Sequence, residues 1–461
     1  MFKIRGILLF SLMCLGVFAT PTSVSSIDDE LLWFWATTPD GLVGYSLDGQ
    51  VNLLLDDPAL ATGNFEAWRL SSSTALISEH QRQKMYLVDT KAMYLLDNGS
   101  YESFDRLEPQ IYKHPYLVLF INAGYSSAFV VDVDQKTVSP LSGQIRFPES
   151  KPVILSDGKT LRYFSYLVSA SDPQAKDALL ERNLQTNEEI LLIAQNTFDV
   201  FRSWDGEQWW IGGQFNGDTQ MLNEVFTIGA VNPEITELIR KKIAVVRDKW
   251  AITFDPQCTS DCEFNILSLT GQNLYHFTLE RAGAQPPFVR AELSNNRLLV
   301  LVDEYQNGTL YVLNSSGEVT ELGFLPYGGI DGAFHSSNGR WVITSTEPID
   351  PTNYQLWDLE QMEIVGNYAA DHYISTYFAS EFVLTYSDYS IARLYDARTG
   401  QEIDLSHYSG RFFQLLDSGQ MLYEILPDSD LPAGIYLVDV FSNTTTLLVP
   451  MGQAIHMEEI R

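Results

Sequence analysis

The sequence is short of the residues that usually announce chemistry. Its 7 histidines are scattered over 461 residues, and none forms a His-x-His or His-Glu-x-x-His pair, so the spacing that puts two zinc ligands on one helix face is missing. No Gly-x-Ser-x-Gly occurs, which removes the strained strand-to-helix elbow of a serine hydrolase. Basic residues are scarce, 29 Lys and Arg against 59 Asp and Glu, for a net charge of -30. Such an excess repels phosphate backbones and anionic lipid, so nucleic acid and acidic membrane surfaces are excluded as partners. The same charge favours a soluble monomer. Helical periodicity is almost absent, and the apolar stretch Ile7–Phe18, 12 residues long, is too short for a permanent span.

What is present begins with an export signal. Lys3 and Arg5 give the basic start, Ile7–Phe18 the apolar centre, and Val17-Phe18-Ala19 a small-residue site with cleavage after Ala19. Lipidation at Cys14 is the alternative reading, giving an anchored rather than a free protein. Residues 20–29 read as a short polar linker, and 30–461 as one repetitive domain.

The repeat is clearest in the hairpin Ala392–Leu405, an apolar strand, an Asp, a Thr-Gly turn and a second strand. The residues that end the first strand of each copy are Asp48, Asp89, Asp132, Asn183, Gly229 and Ser268, followed by Asn314, Asp358, Asp396 and Asp439. Their mean spacing is about 43 residues, the length of one four-stranded propeller blade. Asp, Asn, Ser and Gly recur because the chain must turn there, and these residues bond their own backbone or accept left-handed angles. A second signal runs at the same period, a turn followed by an apolar strand. Good copies are Ser156-Asp157-Gly158-Lys159, Trp204-Asp205-Gly206-Glu207, Ser337-Asn338-Gly339-Arg340 and Asp417-Ser418-Gly419-Gln420. Weaker ones lie at Arg247-Asp248-Lys249, Asn295-Asn296-Arg297 and Ser380. Two turns per repeat imply four short strands.

These turns, and the hairpin Leu-Tyr-x-x-Asp-x-x-Thr-Gly, resemble the WD40-like and TolB-like repeats of exported β-propellers across nearly the whole mature chain. Trp357-Asp358 reproduces the Trp-Asp pair once, whereas no Gly-His pair opens a repeat. The fold expected is all-β, a propeller of about ten four-stranded repeats. The first repeat, Leu31–Leu55, has three strands, and Gln453–Ile460 is expected to supply its fourth and close the ring. A single ring is favoured over two smaller ones, because no linker interrupts the middle of the chain.

Closed sheets stacked face to face bury both of their surfaces, which accounts for apolar strands that do not alternate, such as Tyr116–Ile121 and Leu298–Val302. Trp33, Trp35, Trp209, Trp210, Trp250 and Trp341 fall on strands and read as filling between sheets. Cys258 and Cys262, in Cys-Thr-Ser-Asp-Cys, read as a disulfide stapling one loop of an exported protein. Asp132-Val133-Asp134 and Asp428-Ser429-Asp430 place paired carboxylates at alternate positions, but without the Gly and distal Glu of a calcium loop. Four sequons, at Asn98, Asn307, Asn314 and Asn443, lie in expected turns. No residue is singled out as catalytic, and no cofactor or metal is expected. The functional expectation is a secreted or envelope scaffold that binds protein or glycan on its loop face, as a monomer. The alternative is a carbohydrate-active enzyme, a glycoside hydrolase or lyase, with carboxylates at the channel mouth.

Overall fold

The structure, a computed structural model, describes residues 33–459 except for the segments 39–40, 47–50, 56–64, 72–73, 80–83, 90–92, 97–106, 122–126, 146–150, 168–175, 196–198, 213–221, 223–224, 259, 280–285, 303–307, 326–333, 337–338, 348–352, 370–374, 380–381, 388–389, 400, 404–409, 416–419, 426–430, 440–441, 443, 451–452 and 456. The signal segment with Cys14 and Ala19, the linker 20–29, Asp48, the turns at Ser380 and Asp417–Gly419, Asp428–Asp430 and the sequon residues Asn98, Asn307 and Asn443 lie outside the described residues.

The strand-ending residues make the turns through their side chains. Oδ1 of Asp132, Asn183, Asn314, Asp358, Asp396 and Asp439 accepts a backbone N–H two or three residues on, at 2.8–3.0 Å. Each bond satisfies a donor that the strand ladder has released, so the chain reverses without leaving it bare. Gly229 has no side chain for this and takes a φ of 85° instead. The second kind of turn is equally regular. The N–H of Leu155, Ser203 and Ser336 bonds the carbonyl five residues on, and the N–H of Gly158, Gly206 and Gly339 bonds back three residues, at 2.8–3.0 Å. Those three glycines have φ of 68°, 70° and 69°. Asp248 at 55° and Asn295 and Asn296 at 62° and 54° fill the same role without glycine.

Among the described residues the strands fall into nine sheets. In chain order they are Trp33–Leu55, Phe65–Leu96, Leu107–Pro140, Gln144–Gln195, Asp199–Ile228, Ala244–Leu279, Phe288–Ala369, Ser375–Ile403 and Gly410–Pro450. The strands within each run in sequence order, apart from two C-terminal additions and the split first strand of the fourth sheet. The seventh sheet is seven-stranded, two meanders joined through the single pair Phe324↔Ser345. The fold is all-β, of the β-propeller class, with the up-and-down antiparallel meander as its repeating blade.

The chain forms two compact units, one of Glu30–Gln257, Cys262–Leu274 and Ile455–Arg461, the other chiefly of Tyr275–Ala454. In the first unit the second to fifth sheets pack on both sides. Leu117 and Leu119 of the third sheet meet Leu76 and Leu87 of the second, while Tyr116, Val118 and Phe120 turn the other way onto Leu161 and Tyr163 of the fourth. Alternate side chains therefore serve alternate interfaces, and every position of such a strand is apolar. Burial of each of these side chains stabilises by about 1.5–3 kcal/mol. Trp35 fills the first interface of this unit, Trp209 the one between the fourth and fifth sheets, and Trp210 the next. In the second unit Leu299, Leu310 and Val342 pack within the seventh sheet, and Trp341 and Ile343 pack with Val383 of the eighth.

Two expectations are corrected. Among the described residues the fifth sheet has three strands, and helix α1, Pro233–Arg240, follows its last strand where a fourth was expected. Asn232 caps the helix by accepting the Glu234 N–H, Pro233 begins it, and Ile235 and Ile239 pack on Trp210, Ala244 and Val246. The C-terminus does not form one closing strand. Gln453–Ile455 is the fourth strand of the first sheet, as expected, but Met457–Glu459 pairs in parallel with Phe65–Arg69 of the second.

Candidate functional site

In an up-and-down sheet the first-to-second and third-to-fourth turns share one end, and the remaining connections share the other. At the tight-turn end of the fourth to sixth sheets, successive repeats are tied together at about the repeat spacing. Arg162 Nη1 donates to the Gly206 carbonyl at 3.0 Å, Ser156 Oγ to Glu207 at 2.8 Å, and the Trp204 N–H to the Asp248 carbonyl at 3.0 Å. A Cβ on Gly206 would lie 1.8 Å from Val153 Cγ1, so the fifth-sheet turn rests directly on the fourth sheet. The result is a rigid strip of three turns.

Lys151, Arg202, Trp204, Asp205 and Asp248 gather on this strip. Arg202 ends the first strand of the fifth sheet, and its guanidinium lies 6.0 Å from the buried Trp209 ring. Its Nη1 donates to the carbonyls of Ser203 and Trp204 at 3.1 and 3.4 Å. Lys151 and Arg202 are both half-buried. Burial lowers the pKa of each; the charge of Arg202 lowers that of Lys151 further, Asp248 opposes the shift in both, and Asp205 opposes it in Arg202. Among the described residues no carboxylate lies within the 4.0 Å of an ion pair from either cation. Asp205 is committed to its own turn, accepting from Ser203 Oγ and from the Glu207 N–H. Trp204, whose carbonyl accepts from Arg202, is 55% exposed, unlike the core tryptophans. Two crowded cations and an uncovered indole on an acidic protein can hold an anion that has an apolar side.

No family model matches the chain. No curated protein matches it either. Among solved structures it is similar to a eukaryotic initiation factor, with 11% identity, a TM-score of 0.46 and coverage of 86% of this chain and 97% of that one. BamB from Moraxella catarrhalis gives 11% identity, a TM-score of 0.33 and coverage of 82% and 99%. TolB from Acinetobacter baumannii gives 10% identity, a TM-score of 0.28 and coverage of 62% and 77%. These distant similarities bring no residue and no function with them.

The residues named from sequence are dispersed. Cys258 and Cys262 are paired as a disulfide, in the connection between Trp250–Thr253 and Cys262–Ser268 at the opposite end of the sixth sheet. Asp132 caps a turn. Asp134 faces the exposed His114 at 3.6 Å, and among the described residues no three His, Cys, Asp or Glu converge on a metal position. Asn314 caps its own turn through Oδ1.

A polar cluster built on the buried Tyr163 and Arg182 went unread in the sequence. Glu189 accepts from Tyr163 Oη at 2.8 Å, from Arg182 Nη1 at 3.1 Å and from Ser142 Oγ. Burial and then Glu189 push the Tyr163 hydroxyl up. For Glu189 burial acts in the opposite sense to these bonds, which prevail and hold it below the usual carboxylate range. Arg182 also donates to the Pro140 carbonyl, so the cluster pins the edge of the third sheet to the fourth. Its role is architectural.

Proposed function

We propose that this protein is a non-catalytic scaffold that binds an extracytoplasmic protein or glycan on the tight-turn end of its sheets. The observation that carries the reading is the exposed indole of Trp204 on the turn whose carbonyls Arg202 holds, among turns tied by backbone and side-chain bonds. A surface fixed in this way loses little conformational entropy on binding. The Cys258–Cys262 disulfide and the export signal read from residues 1–19 support a place outside the cytoplasm, free or in the envelope. The net charge of -30 supports a monomeric state.

The test is a melting scan of the purified protein against a panel of polysaccharides and peptides, with products assayed in parallel. A ligand that binds only the folded chain raises the melting temperature by mass action. The scaffold reading predicts such a shift without turnover, reduced in Trp204→Ala. Release of sugar fragments contradicts it and supports the carbohydrate-active alternative. A panel that leaves the melting temperature unmoved also contradicts it.

A further inference from the structure

We infer that the Lys151–Arg202–Trp204 site recognises the carboxylate and ring face of a uronic-acid residue, the acidic unit of an acidic glycan. This rests on the scaffold reading and names its ligand class.

The cation side comes first. Both bonds of the Arg202 guanidinium to described residues leave from Nη1, toward the Ser203 and Trp204 carbonyls. Nε and Nη2 make none, and together they form the edge of the guanidinium that grips a carboxylate with two parallel bonds. Lys151 lies close enough to feel the charge of Arg202, and Asp205 and Asp248 act on Arg202 from beyond ion-pair distance. Both cations are held half out of water, which disfavours their charged forms, and an anion between them offsets that cost. Elsewhere the acidic surface repels anions, and at physiological salt that repulsion fades within about 8 Å, so a local cation pair can prevail.

The aromatic side narrows the choice. The guanidinium touches the carbonyl of the residue that carries the exposed indole, so the cation and the indole belong to one turn. A neutral sugar offers the indole a C–H face but gives the cations nothing. An Asp- or Glu-rich peptide offers carboxylates on flexible stems without a flat apolar face beside them. A hexuronate carries both on one rigid ring, with the carboxylate at the ring's edge.

The experiment is calorimetric titration of the full protein with trigalacturonate, its methyl ester and hexaglutamate at physiological salt, with tryptophan fluorescence followed alongside. Trigalacturonate is expected to bind with one site and to change the fluorescence. Lys151→Met and Arg202→Gln are each expected to weaken it about tenfold, the size of one charge-assisted bond. Trp204→Ala is expected to weaken it and remove the fluorescence change, and the methyl ester is expected not to bind. Arg202→Lys keeps the charge without the two-pronged edge and is expected to weaken binding too, so the inference stays testable if Arg202→Gln does not fold. Failure of trigalacturonate to bind, equal binding of the ester, or binding that survives Lys151→Met in a protein of unchanged melting temperature overturns the inference. Hexaglutamate binding in place of trigalacturonate also overturns it while leaving the scaffold reading intact. Breakdown of trigalacturonate during the titration counts against the scaffold reading and not against the ligand class.

Discussion

Single residues carry this fold at the turns, and two glycines separate the causes. Gly158 and Gly206 have nearly the same left-handed φ, 68° and 70°, but a Cβ at Gly158 meets nothing within 4 Å whereas one at Gly206 strikes Val153 at 1.8 Å. Gly158→Ala is expected to cost about 1–2 kcal/mol, the backbone penalty alone. Gly206→Ala is expected to cost a further 1–3 kcal/mol, roughly, for overpacking against the neighbouring sheet. Urea unfolding of both measures the difference, and equal losses would show that the turns do not rest on the next sheet. Asp358 is 2% exposed and its carboxylate meets Arg340 at 2.8 Å, with that guanidinium 4.4 Å from the Trp341 ring. Arg340→Ala leaves a buried charge unpaired and is expected to cost about 3 kcal/mol by the same measurement.

These carboxylates also fix the response to acid. The Arg398 side chain, which outweighs burial, holds Asp396 below the usual carboxylate range. For Asp157 and Asp358 burial acts upward and is overcome by hydrogen bonds from Thr160 and Arg340 and from the turn N–H groups. A carboxyl group depressed in the folded state gives stability that is present above its unfolded pKa, near 4, and is lost as pH falls through the folded value. Melting temperature is therefore expected to stay level above about pH 5 and to drop below pH 4, with a smaller drop in Asp358→Asn. A drop of unchanged size in that variant contradicts the assignment. The strand-ending Asp and Asn residues were legible in the sequence because their bonds are local. Arg182, Glu189 and Ser142 were not, since the residues they join are up to 47 positions apart and no local pattern marks them.

At the scale of elements, the helix is where the repeat pattern misled. Asn232-Pro233 followed by Ile235 and Ile239 four residues apart is a legible start and apolar stripe. One short helix was hidden by the expectation that every repeat has four strands. Asn232 also donates through Nδ2 to the Thr270 carbonyl at 2.7 Å, tying the helix cap to the sixth sheet. Asn232→Ala is expected to cost about 1 kcal/mol for the cap alone, and Ile239→Ala about 2–5 kcal/mol as a core truncation. A loss in Ile239→Ala no greater than in Asn232→Ala would mean that the helix does not fill the core of its unit. The split of the C-terminus into two short strands was illegible because Gln453–Ile460 reads as one run.

For the whole molecule, the sequence disclosed the architecture more fully than the site. A period of about 43 residues is a property of the entire chain, so the blade unit could be read without knowing any contact. The turn pattern set Trp204 apart from the strand residue Trp209, but Lys151 and Arg202 come from different sheets and no local pattern joins them. The disulfide closes a loop of only a few residues, so removing it with Cys258→Ser and Cys262→Ser together is expected to cost about 2 kcal/mol. A thermal melt of the double variant checks that figure.

The central claim is that ligand binds on the tight turns of the fourth to sixth sheets. Hydrogen exchange of the full protein, with and without saturating trigalacturonate, tests it most directly. Slower exchange confined to the peptides that carry Lys151–Asp157, Arg202–Gln208 and Arg247–Trp250 is the result predicted. Unchanged exchange there, or protection centred on the Cys258–Cys262 loop at the opposite end of the sixth sheet, would contradict it.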